Sequence, residues 1–96
     1  MELAAVLERL RAIRPQLAER GVCRLLVFGS VARGESHAAS DVDLAVDFDR
    51  PIGLFAFAGV KRLVEEALQT KVDLVMLAGL RPAMRDSVLK EAVLAA

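Results

Sequence analysis

The 96-residue chain has no tryptophan, no tyrosine, a single cysteine and a single histidine. One cysteine excludes an internal disulfide, and the neighbours of Cys23, Val22 and Leu25 among them, make it read as a small core hydrophobe. With His37 alone there is no second imidazole or thiol at metal-ligand spacing, so His37 is expected on a solvated loop. No serine or cysteine has a histidine partner for nucleophilic catalysis. Neither GxxxxGK followed by Ser or Thr nor a GxGxxG fingerprint occurs, which excludes a Walker-type phosphate loop and a dinucleotide fold. Thirteen basic residues against 13 acidic ones leave no broad field of one sign. Direct nucleic-acid binding and attraction to an anionic membrane are thus disfavoured, and any phosphate contact must be local. No apolar run reaches the ~18 residues that span a bilayer, and the N-terminus carries acids and arginines in place of a signal peptide's regions. A cytoplasmic location is the expectation.

What is present is an apolar share of 55%, carried by Leu, Val and Ala. The length predicts one domain, residues 1–96. Leu3, Val6, Leu7, Leu10, Ile13 and Leu17 recur at helical spacing over 2–20, with Arg14 breaking the stripe and Pro15 set to kink or divide the helix. Residues 22–28 read as a strand covered on both faces. Ser30 is expected to cap a short helical turn closed by Gly34, and 35–40 reads as loop. A second strand, 41–48, sets Val42, Leu44, Val46 and Phe48 on one face and Asp41, Asp43, Ala45 and Asp47 on the other. A helix over 54–69 turns Leu54, Phe57, Ala58, Val64, Ala67 and Leu68 inward, a third strand follows at 72–77, and Pro82 opens a last helix over 82–95. The apolar arc of that last helix, with Met84, Val88, Leu89, Ala92, Val93 and Leu94, is wider than one small core requires. The fold class predicted is α/β, a small mixed three-stranded sheet flanked by helices, with a core at 22–77.

The chemistry concentrates between Val27 and Val46. Asp41 and Asp43 share a strand face because side chains alternate, and their α-carbons lie roughly 6 to 7 Å apart, within reach of a common hard cation. The second and third strands, joined by a helix, should be parallel neighbours with a right-handed crossover, while the first two run antiparallel. Asp43 and Asp73 then come close, and three carboxylates converge. Without a cation they repel one another; with Mg²⁺ they clamp an in-line displacement at phosphorus. Asp41 and Asp43 also fit the plain solvent face of an edge strand, but an acid at Asp73, inside an apolar run, needs a reason. Gly29-Ser30 fits a backbone nest for phosphate, and equally an ordinary strand-to-helix turn. Arg33 fits a phosphate contact or a surface charge. Asp47 lies too far along the strand to join the metal site.

Gly29-Ser30, ten further residues, Asp41-Val42-Asp43, and a third acid at Asp73 on a later strand resemble the DNA polymerase β-like nucleotidyltransferases, and within them the minimal nucleotidyltransferases. The wording around KVDLV and the following Leu-Arg-Pro turn is also similar to the minimal group, and the likeness covers 22–96. It implies an enzyme that uses ATP and two Mg²⁺ to transfer a nucleoside monophosphate and release pyrophosphate. Asp41 and Asp43 would bind both metals, Asp73 would hold the catalytic one and help activate the acceptor, and Gly29 and Ser30 would bind the triphosphate. Arg33 and Ser40 complete the expected nucleotide-binding set. The resemblance further implies a helical HEPN toxin as partner, for which the nucleotidyltransferase is the antitoxin, adding AMP to a tyrosine hydroxyl. The last helix would supply a docking surface for that partner or for a second copy. The alternative is a binding module that neutralises its partner by occlusion alone, or a subunit that senses nucleotide without turnover.

Overall fold

A proline costs a helix nothing in its first turn, where its missing N–H has no intrahelical partner anyway. The computed structural model, which describes residues 1–35 and 41–96, uses Pro15 in this way. Helix α1 spans Leu3–Ala12 and α2 spans Arg14–Glu19, so the arm expected over 2–20 is divided at Ile13. Val6, Leu10 and Leu17 are buried, while Arg14 turns outward and donates to the carbonyl of Ala95 at 3.5 Å.

Strand β1 (Val22–Phe28) leads through a single helical turn, α3 (Gly29–Ala32), towards β2 (Val42–Phe48). Then come α4 (Leu54–Leu68), β3 (Val72–Met76), a 3-10 turn over Leu77–Gly79, α5 (Pro82–Glu91) and β4 (Val93–Leu94). β1 and β2 pair antiparallel, and β2 and β3 pair parallel across α4. The sheet is mixed, with four strands in the order β3-β2-β1-β4 rather than the three expected.

The extra strand comes from the segment predicted to be helix. α5 stops at Glu91, Ala92 turns extended (φ −70°, ψ 146°), and Val93 and Leu94 pair with Val27 and Leu26. The free edge of β1 offers backbone donors and acceptors that a helix end cannot use, and β-branched Val93 suits a strand. The carbonyl of Leu25 accepts from the Ala95 N–H at 2.8 Å and its N–H donates to Ala96 at 2.7 Å, which buries Ala95 completely. Part of the wide apolar arc is thereby consumed in the sheet. Met84 and Leu89 stay exposed on α5, and Leu94 on β4.

Both faces of the sheet are covered. Leu25, Val27, Val42, Leu44 and Val46 pack with Val6 and Leu10 of α1 and Val60, Val64 and Leu68 of α4, whereas Leu26 and Ala45 pack with Leu77 and Val88 of α5. Leu44 is wholly buried in the middle of β2. Truncating it to Ala should cost ~3 to 5 kcal/mol of stability, read as a lowered urea midpoint at constant slope.

Two expectations of burial fail. Cys23 is exposed, because β1 carries an irregularity between Val22 and Arg24 that turns the intervening residue out; its thiol donates to the Asp47 carbonyl at 3.3 Å. Leu54 and Ala58 are exposed, while Val60 is buried. The buried stripe of α4 is carried by Val60, Val64 and Leu68, one helical turn apart. Among the described residues no helix is long and apolar enough to cross a membrane.

Candidate active site

The parallel register of β2 and β3 places Asp43 directly beside Asp73, flanked by the pairs Val42–Val72 and Leu44–Leu74. Apolar neighbours on either side face the core, so alternation sends both acids to the opposite face. The strand starts are tied together just before these residues. The Val42 N–H donates to the Lys71 carbonyl at 3.2 Å, and the Val72 N–H donates to the Glu65 carboxylate of α4 at 3.1 Å. From the other side, the antiparallel register sets Phe28, the last residue of β1, opposite Asp43.

The next residue, Gly29, closes that side. It has φ +72°, and a Cβ built on it would fall on the Asp43 carboxylate, 3.0 Å from Cγ. Only glycine lets the backbone lie this close in this conformation. The chain then makes one turn, α3, with Arg33 N–H bonding to the Gly29 carbonyl at 3.1 Å, and Gly34 (φ +74°) ends it. The turn begins at Gly29 and has no side-chain cap, so Ser30 lies within it and is not the cap that the sequence led us to expect.

Asp43 is half-buried and Asp73 and Asp41 are exposed. Burial pushes the Asp43 carboxyl above its usual range, and the negative charges of Asp73 and then Asp41 push it further, opposed by Arg33. The acids thus sense one another across the two strands. Among the described residues the metal-ligating atoms here are carboxylate oxygens, which suit Mg²⁺. Among the described residues no three Asp, Glu, His or Cys side chains already form a cage for a metal ion. What the backbone fixes is the Asp43–Asp73 pair, and a cation would relieve the repulsion that adds to burial in raising Asp43.

Arg33 stands across the turn, 3.0 Å from the carboxylates of both Glu35 and Glu91. Glu91, at the end of α5, accepts the Gly29 N–H with one oxygen and Arg33 with the other, each at 3.0 Å. Those two contacts, the backbone N–H first, hold its carboxyl below the ordinary value. Sequence reasoning did not single out Glu91. The partners lie 62 and 58 residues away, and no local spacing signals them. Asp47 is engaged with Arg24 at 3.2 Å, away from the acid pair. Ser40 and His37 lie outside the described residues. Beside the turn, a cavity of about 510 Å³ opens between Phe28 and α5, walled by Met84, Val88 and Glu91.

Known proteins share the sequence and the fold of this chain. Residues 7–95 match the family model for the nucleotidyltransferase domain. The chain is 41% identical over 85 residues to protein adenylyltransferase MntA of Thermococcus cleftensis, covering 88% of this chain and 86% of that protein. A solved structure described as a minimal nucleotidyltransferase superposes with a TM-score of 0.85 at 41% identity, over 97% of this chain and 95% of the other. The fold also matches a chain from the complex of tri-AMPylated Shewanella oneidensis HEPN toxin with MNT antitoxin, at TM-score 0.68 and 20% identity, over 93% of this chain and 70% of that one.

Proposed function

Since the chain belongs to the nucleotidyltransferase domain family, as a minimal member of its DNA polymerase β-like group, we propose that it transfers AMP from ATP, with Mg²⁺, to a tyrosine hydroxyl of a helical HEPN-type toxin and so acts as its antitoxin. The observation that carries this reading is the register pairing of Asp43 with Asp73 beside the Gly29 backbone. Similarity to a protein adenylyltransferase at 41% identity supports the reaction type. The toxin complex with the same fold supports the partner class.

Asp41, Asp43 and Asp73 would hold two Mg²⁺ ions, which when bound supply the positive charge that screens the triphosphate from the acids. Gly29 N–H, Ser30 and Arg33 would take the phosphate oxygens, with Ser40 completing the set, and leave the α-phosphorus facing the acid pair. The acceptor oxygen bonds to the α-phosphorus, the bond to the bridging oxygen breaks, and pyrophosphate leaves. Asp73, at the exposed end of the pair, would receive the hydroxyl proton.

The test is incubation of the chain with Mg²⁺, ATP labelled on the α-phosphate and the product of the neighbouring reading frame. Label should appear on a tyrosine of that protein with one pyrophosphate released per AMP. Folded protein that transfers no label would overturn the assignment. Neutralisation by occlusion is the second reading, favoured by Met84 and Leu89, which lie exposed on α5. It would be identified by an inactive variant that still protects against the toxin.

A further inference from the structure

The two donors best placed for phosphate already hold an anion. The Gly29 N–H and the Arg33 guanidinium each contact a different oxygen of Glu91 at 3.0 Å, the bidentate geometry in which carboxylate and phosphate are interchangeable. A backbone N–H carries one proton, so it cannot serve Glu91 and a phosphate oxygen together. We infer that Glu91 is an internal occupant of the phosphate-binding turn, a carboxylate that the triphosphate must displace before it can engage the Gly29 N–H and take over the Arg33 nitrogen that Glu91 holds. This rests on the reading of that turn as the triphosphate site.

Two further observations agree. The Glu91 side chain keeps 31% of its surface exposed and borders the cavity of about 510 Å³ between Phe28 and Met84. Rotation about its own bonds can therefore move the carboxylate into open space while β4 holds the end of α5 in place. Glu91 also adds negative charge to the surroundings of Asp43, so its departure removes a like charge from the acid pair as the nucleotide arrives. While it is seated, the carboxylate pairs Arg33 and occupies the N–H of the tight turn. The empty turn is thereby kept in the shape that phosphate requires, at the cost of competition with the ligand.

Glu91→Ala and Glu91→Gln test this in the full chain, with calorimetric titration of a non-hydrolysable ATP analogue in Mg²⁺. Ala removes the competitor and should tighten binding roughly tenfold, about 1.4 kcal/mol. Gln keeps the volume and one acceptor but loses the charge, and should fall between Ala and the parent. Adenosine, which has no phosphates, should bind all forms alike. A residue that only anchors α5 would lower thermal stability when removed and leave nucleotide affinity unchanged or weaker. An unchanged or weakened affinity in both variants, with the parent binding normally, therefore overturns this inference alone. Absence of binding by the parent as well as the variants would remove the nucleotide site itself, and this inference with it.

Discussion

Asp43→Asn should abolish AMP transfer, by about a thousandfold or more, while leaving the metal-free protein as stable as its parent or slightly more so. The side chains are nearly isosteric, so packing against Phe28 and Gly29 is kept and only the anionic oxygen is lost. The carboxyl of Asp43 is raised by burial and by Asp73 and Asp41, so the folded chain binds that proton more tightly than the unfolded one. Its favourable contribution is complete below the unfolded value near 3.8 and is lost as the pH climbs through the raised folded value. At neutral pH the ionised group is a net cost, which Asn removes. Urea denaturation in EDTA should accordingly show the variant at or above the parent at pH 7, with the parent gaining on it as the pH is lowered towards 4. Added Mg²⁺ and nucleotide should stabilise the parent and not the variant. A loss near the ~3 to 5 kcal/mol of a broken buried pair would instead reveal a structural network. If the variant remains as protective as the parent against the proposed partner, occlusion and not transfer carries the protection.

Gly29→Ala is expected to damage fold and activity together, by ~2 to 4 kcal/mol and at least a hundredfold in transfer rate. Left-handed backbone costs an L residue ~1 to 2 kcal/mol. Gly29 sits at φ +72°, and its added methyl would also meet the Asp43 side chain, 3.0 Å from Cγ and 3.2 Å from Cβ. Asp43 must then leave its present position beside Asp73, and displacement by ~1 Å is enough to cost a hundredfold. Gly34 is the control that separates the two effects. It has φ +74° with nothing within 4 Å of a Cβ, so Gly34→Ala should carry the backbone cost of ~1 to 2 kcal/mol and keep transfer. Equal rates for the two alanine variants would mean that collision with Asp43 is not what Gly29 avoids.

The acid pair was legible because it follows from two robust rules. Alternation within β2 turns Asp43 away from Val42 and Leu44, and a helix between strands makes a parallel pair that lines Asp43 up with Asp73, while Asp41, expected as the first residue of the strand, lies just before it. The break at Pro15 and the turn ending at Gly34 follow from single-residue conformational limits in the same way. What the sequence hides is decided by contacts between distant segments. Val93 and Leu94 carry a helical pattern as well as any other residues, and only the open edge of β1 makes them a strand. Cys23 has core-like neighbours, and one irregular pairing with β2 turns it outward. Glu91 gives no sign of its role, since it meets Gly29 and Arg33 only once α5 has folded back over the sheet.

The alignment of Val42, Asp43 and Leu44 with Val72, Asp73 and Leu74 also sets a penalty on any other register. Sliding β2 by one position would drive an ionised acid into the hydrocarbon layer under α4 and turn Val42 and Leu44 out of it. A chain assembled out of step is therefore too unstable to persist as a silent, well-formed impostor. The contacts that hold the core in step are thus the ones that keep the two acids side by side.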